Sequence, residues 1–347
     1  MTGPKNSSDS PRFGAGRIES AAPSISVIVP THNRPDYVID AVRSIARQTT
    51  PDSGPFEILV VENTPRATLG PRFEKLATEL PVAVRVFHEA RPGLHQARHR
   101  GALEARGSIL VYVDDDVLAP SGWLAAMVEP FDSEAVAIVG GPVRPRWEAP
   151  RPVWLDQFPS SYLSLLDADG DAHDFDYPDG AYGCNMAVRR DVLIQVGGFH
   201  PDAMGWDRSR FWLRGDGEVG LHFRVLNAGY RSVFQPSAVI EHRIPGARLT
   251  FSAMRRRALL VGLSHSYMDI RSDLGDPQRS WRRTLRGFKS LALAGRHAAS
   301  VLKHRADWRF RVCEMWRRYG YARQHLAAVV DRRAREYLER ESYLSDD

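Results

Sequence analysis

The chain predicts an α/β fold: a mostly parallel sheet flanked by helices, followed by a helical, basic C-terminal region. Over the first half, short β-branched apolar runs alternate with segments of helical periodicity. Several of the runs end at a polar cluster: THN at 31–33, EN at 62–63 and DDD at 114–116. From residue 251 onward the pattern turns helical and dense in arginine.

SISVIVP (24–30) reads as a buried strand closed by Pro30. RPDYVIDAVRSIARQ (34–48) places Tyr37, Val38, Ala41, Val42 and Ile45 at helical spacing, with Pro35 suited to a first turn. FEILVVEN (56–63) and VAVRVFHE (82–89) are the second and third strands. GLHQARHRGALEARG (93–107) is a helix ending at Gly107, and SILVYVDDD (108–116) a fourth strand. SGWLAAMVEPF (121–131) is a short helix, and AVAIVGGPVRP (135–145) a strand that breaks at its glycine pair. Residues 146–180 form an irregular region rich in Pro, Asp and aromatics. A strand and a helix ending at Gly197 follow within 180–199. A helix at 215–230, stopped by Gly229, then precedes a late strand at 231–243. In parallel sheets ligands gather beyond the carboxyl ends of the strands, where the three polar clusters fall.

A chain of 347 residues suffices for one large domain or two ordinary ones, with the composition of a soluble globular protein. The expected division is a disordered leader at 1–23, an α/β domain at 24–250 and a helical basic region at 251–347. The leader lacks the apolar core of a signal peptide, and no stretch approaches the roughly 20 apolar residues of a membrane span. Cys184 and Cys313 are the two cysteines, too few and too distant for a disulfide framework. A cytoplasmic location is expected, with a peripheral place on the inner membrane face open. Residues 251–347 hold 21 Lys+Arg against 11 Asp+Glu and the preceding 250 hold 26 against 31, so a net +10 tail adjoins a net −5 body. Such a tail suits an anionic partner, a membrane surface or a nucleic acid.

Three adjacent carboxylates at a strand end repel one another unless a cation or donor offsets the charge. Hard oxygen ligands suit Mg²⁺ or Mn²⁺, which bridge protein carboxylates and phosphate oxygens. The alternative is a solvated strand exit. Thr31 and Asn33 can hydrogen-bond a ring edge; Asn33 can equally cap the helix beginning near Pro35.

ISVIVPTHNRPDYVIDAVRSI, EILVVEN, GLHQARHRGALEARGSILVYVDDDVLAPSGWL, GCNMAVRRDVLIQVGGF and GDGEVGLHFRVLNAGY together resemble a family 2 glycosyltransferase of the Rossmann-like GT-A fold, over roughly residues 24–245. The resemblance implies a nucleotide-sugar donor, a UDP-sugar first, and a divalent metal at an Asp-x-Asp motif. It also implies inversion, and an acceptor that is a glycan, a lipid-linked sugar or a small molecule. Pro30, Thr31, Asn33 and Arg34 match the loop that cups base and ribose. Glu62, beside Asn63, stands where the family usually has an Asp reading the base. Arg98 matches an arginine near base and diphosphate. Asp114 and Asp115 face the nucleoside side and Asp116 the metal, with the register open by one between the last two. His242 is a candidate further metal ligand. Glu218 falls on the catalytic base, and Asp216, one step before Gly217, is second choice.

A nucleotidyltransferase is the rival enzyme, although no glycine follows the first strand in PTHNRP; no G-x-G-x-x-G follows it either, which disfavours a dehydrogenase. The non-enzymatic rival binds nucleic acid or another anion through the basic tail, but leaves the DDD, THN and DGE clusters without a purpose, and no nucleic-acid partner is expected. Trp281, Phe288, Leu291 and Leu293 among Arg282, Arg283, Arg286 and Lys289 allow an amphipathic surface helix; a helical pair packed on the core is the other reading.

Overall fold

The structure, a computed structural model, describes residues 12–13, 23–50, 54–167, 170–176, 179–201, 213–276, 278–301 and 306–344. At the edge of the main sheet the two-residue strand Arg12–Phe13 (β1) pairs antiparallel with the third predicted strand, while most of the leader lies outside the described residues. Ile25–Thr31 (β2) is buried on both faces, as a β-branched run in a covered parallel sheet must be. Pro35–Ala46 (α1) packs Val38, Ala41, Val42 and Ile45 into the core, each larger side chain contributing about 1.5–3 kcal/mol by leaving water. Phe56–Glu62 (β3), Gly70–Glu79 (α2), Ala83–His88 (β4), Leu94–Glu104 (α3) and Ile109–Tyr112 (β5) continue the alternation.

Val117–Leu118 (β6) and Trp123–Val128 (α4) follow the acidic triplet. The predicted 135–145 strand is two strands, Val136–Gly140 (β7) and Val143–Trp147 (β8), in different sheets. A Cβ on Gly141 would lie 2.2 Å from the Ala238 carbonyl oxygen, so the crossing needs glycine there. The irregular region carries two short 3₁₀ turns and His173–Asp174 (β9). Met186–Arg189 (β10), Arg190–Gln195 (α5) and Gly217–Asn227 (α6) precede a second split strand, Arg231–Phe234 (β11) and Ile240–Ile244 (β12).

The main sheet runs β1-β4-β3-β2-β5-β10-β7-β11-β9. Strands β4, β3, β2 and β5 are mutually parallel, and β10 enters antiparallel between β5 and β7. The predicted α/β class holds, with this reversal inside it. A small sheet, β6-β12-β8, stands beside it. Apolar side chains cover both sheet faces: Val27, Val29 and Val60 on one, Ile28, Leu59 and Val61 on the other.

The C-terminal region is helical: Phe251–Ser272 (α7), Arg279–Val301 (α8), Trp308–Val330 (α9) and Arg332–Glu339 (α10). Helix α9 packs against α7 and α8. Small residues set the α7–α9 crossing, since a Cβ on Gly262 would lie 1.9 Å from the Arg317 carbonyl oxygen. Cys184 and Cys313 are free, buried thiols. Among the described residues no helix is long and apolar enough to cross a membrane.

Candidate active site

The parallel strands deliver their carboxyl ends to one edge, where a hollow of about 870 Å³ opens. Of the predicted residues, Pro30, Thr31, Asn33, Arg34, Asn63 and Asp114–Asp116 line it. Strand β5 ends at Tyr112, earlier than expected, so the three acids sit in the turn before β6. Each of the three carboxylates has cations or donors beside it that offset part of the repulsion. Asp115, buried, accepts from Thr31 Oγ1 at 2.7 Å and from Arg34 Nη1 at 3.2 Å. Asp116, also buried, accepts from Arg34 Nη1 at 2.8 Å. Asp114, about one-third exposed, lies 3.7 Å from Arg98 Nη2.

Antiparallel pairing of β6 with β12 sets His242 opposite Val117, bringing its ring to the acidic turn. His242 Nε2 lies 3.3 Å from Asp116 Oδ1 and accepts from Arg248 Nη1 at 2.8 Å. Arg248 stands 3.7 Å from Asp116 Oδ2. These neighbours split the triplet electrostatically. Burial, with Asp116 adding repulsion, pushes the Asp115 carboxyl up to about 6. Burial and the Asp116 and Glu218 charges raise Asp114 as well. Burial opposes ionisation of Asp116 too, but His242, Arg248 and Arg34 outweigh it and hold Asp116 low.

Arg98 is 2% exposed and reaches Glu218 Oε2 at 3.5 Å. It therefore bridges the acidic turn and the start of α6, with its guanidinium over the Phe199 ring at 5.1 Å. Glu218 stands in the first turn of α6, about one-quarter exposed. Burial disfavours its charge, but Arg98 and its own backbone N–H bring the carboxyl below its ordinary value.

Two predicted residues face elsewhere. Both Glu62 oxygens are taken up by the Thr68 N–H and hydroxyl and the Leu69 N–H, so it braces the loop before α2 and stays outside the lining. Asp216 is buried 3.3 Å from His200 Nδ1, against a cluster with Tyr267 and Tyr343. Asn33 does not cap α1: the cap position is Arg34, with no side-chain bond, and Asn33 takes φ 55° in the left-handed region. Sequence reasoning missed His32, which donates to the Asn63 carbonyl, and Arg248. His32 lay inside the quoted PTHNR loop; nothing local marked Arg248. Asn63 supports the rim, donating to the Glu89 and Arg91 carbonyls and accepting from Gly93 N–H. Its contact with Gly93 sets the N-terminus of α3 against the hollow.

Known proteins resemble this chain in sequence and in fold. The profile described as Glycosyl transferase family 2 matches residues 26–197. A glucosyl-dolichyl phosphate glucuronosyltransferase of Haloferax volcanii is 25% identical over 257 residues, covering 71% of this chain and 77% of that protein. Glycosyltransferase AglE of the same organism is 25% identical over 217 residues, covering 62% and 66% respectively. The mannosyltransferase PcManGT of Pyrobaculum calidifontis, solved with GDP-Man and Mn²⁺, superposes with TM-score 0.55 at 19% identity, over 93% of this chain and 91% of that one. At that identity the superposition speaks for the fold. Residues 26–197 belong to glycosyl transferase family 2, and the chain is a glycosyltransferase built on the GT-A fold.

Proposed function

We propose that the protein transfers a sugar from a nucleoside-diphosphate donor to an acceptor hydroxyl with inversion of configuration, in the presence of Mg²⁺ or Mn²⁺. The observation that carries this reading is Arg98, which links Asp114 on the wall of the hollow to Glu218 at the start of α6. One buried cation thus holds a donor-side carboxylate and a basic carboxylate in one arrangement.

The donor's base and ribose would lie along Pro30, Thr31, Asn33 and Arg34, and its diphosphate toward the acidic turn. The N-terminus of α3, at Gly93 and Leu94, adds the positive end of a helix dipole to that wall. Asp116 and His242 would hold the metal: a hard oxygen and an imidazole fit Mn²⁺ or Mg²⁺, and His242 Nε2 stands 3.3 Å from Asp116 Oδ1. Among the described residues no three His, Cys, Asp or Glu side chains form an ion site by themselves, which suits a metal that takes its remaining oxygens from substrate and water. When bound, the metal neutralises the departing diphosphate. Glu218, ionised at neutral pH, accepts the acceptor hydroxyl's proton as attack proceeds from the face opposite the leaving group. Asp216, turned toward His200, supports the start of α6.

UDP-sugars head the donor candidates, and the GDP-mannose carried by PcManGT adds a second class. A lipid-linked acceptor is favoured by the basic C-terminal region, consistent with a peripheral enzyme on the inner face of a membrane, and by the dolichyl phosphate in the name of one relative. Nucleoside diphosphate release from a panel of UDP- and GDP-sugars, with and without EDTA, tests the reading. EDTA-sensitive release from one donor is expected; binding of none of them would overturn it.

A further inference from the structure

We infer that helix α8 docks the enzyme on an anionic lipid surface, lying in the plane of the interface. Its inner face buries Arg283, Gly287, Ser290 and Ala294. Gly287 lets the helix approach α9, since a Cβ there would lie 3.0 Å from Leu326. Its outer face exposes Trp281 at 64%, Leu285 at 52% and Phe288 at 60%. Steps of four and three residues place these on one stripe, which the small, exposed Ala292 continues. Three large apolar side chains are thus aligned toward solvent.

The charge beside the stripe selects the partner. Arg282, Lys289 and Arg296 recur at seven-residue intervals along its flank, all exposed. Arg282 pairs with Asp276 at 3.2 Å, but Lys289 and Arg296 have no carboxylate partner among the described residues. Behind Lys289 a hollow of about 390 Å³ opens between α7, α8 and α9. Arg286, Lys289, Arg317 and Arg318 line it against one carboxylate, Asp269. Arg286 is committed to Asp273 and Arg317 to Glu314, which leaves Lys289 and Arg318 to meet an anion. An apolar stripe at acyl-chain depth, flanked by cations at headgroup level and a basic hollow for a lipid phosphate, is the pattern of an interfacial helix. A second copy of the chain would bring Lys289 and Arg296 of both molecules together.

This inference deepens the reading of a lipid-linked acceptor, yet its test uses neither donor nor acceptor, so each can fail alone. The full chain is floated with vesicles of phosphatidylcholine and phosphatidylglycerol in equal parts, and with phosphatidylcholine alone. It should rise with the anionic vesicles only, and less as salt increases. Lys289→Glu should weaken binding at least fivefold. The double variant Leu285→Ser/Phe288→Ser should abolish it at an unchanged melting temperature, since both side chains are solvent-facing. Equal flotation with both vesicle types, or full binding by the double variant, would overturn the inference. So would a wild-type dimer that becomes monomeric in the double variant by sedimentation velocity without vesicles, or single-stranded DNA binding lost in that variant with no vesicle binding by the wild type.

Discussion

Gly183 leaves open the space through which Arg98 passes: a Cβ at Gly183 would lie 2.2 Å from Arg98 Nη2. Arg98 holds Asp114 and Glu218 together, so a methyl group at 183 acts on both without touching either. Gly183→Ala should lower kcat by at least tenfold while the melting temperature falls by only a few degrees, because the displaced group is a side-chain tip. Unchanged kcat would mean that the Arg98 bridge is dispensable.

Glu218 and Asp216 should separate kinetically. Glu218→Gln should cost roughly 10²–10⁴-fold in kcat, the range of a lost general base, with donor binding retained. Asp216→Asn weakens a buried contact to His200 and should show more in thermal stability than in turnover. Near-normal turnover by Glu218→Gln would move the base elsewhere.

Asp116 gathers Arg34, Arg248 and His242 around one carboxylate. Asp116→Asn should reduce Mn²⁺-dependent nucleotide binding by at least tenfold in titration calorimetry. Metal-independent binding of equal strength in both proteins would remove Asp116 from the metal's ligands.

The α7–α9 crossing should be sensitive to a single carbon. At Gly262 the added Cβ meets the Arg317 carbonyl, a backbone atom that yields only if the helices part. Gly262→Ala should cost about 1–3 kcal/mol, the range for overpacking, in thermal or denaturant unfolding.

His222, 2% exposed, sets a pH dependence. Burial disfavours its imidazolium and lowers it to about 4 in the folded protein. The unfolded chain takes up that proton near 6.5, so folding loses stability as pH falls from about 6.5 to 4, at about 1.4 kcal/mol per unit for this group. Above 6.5 it contributes no slope. Urea midpoints across that window should fall less steeply for His222→Gln; parallel curves would assign the slope to other groups.

The strands β2, β3 and β4, helices α1 and α3 and the acidic stop after β5 were legible because periodicity and polar ends are local properties. Helix α2 was not read, although Phe73, Leu76 and Ala77 stand at helical spacing: the run is short and charged and opens at Gly70-Pro71. Strands β7 and β8 read as one run, as did β11 and β12, because each pair is continuous in local preference and changes sheet only where a distant backbone, such as Ala238 at Gly141, forces it. The antiparallel entry of β10 between β5 and β7 left no mark in composition.

The same division runs through the site. Sequence alone determined the fold class and the family resemblance, and it placed Thr31, Arg34, Asn63 and the Asp114–Asp116 run at the strand ends, because residue type, period and spacing lie along the chain. Tertiary structure decided where each one points. Glu62 was spent on the backbone of its own loop, Asp216 was turned to His200, and Arg248 was carried to Asp116 through the pairing of β6 with β12. Side-chain direction depends on hydrogen-bond partners and charges brought close by folding, and distance along the chain does not encode them.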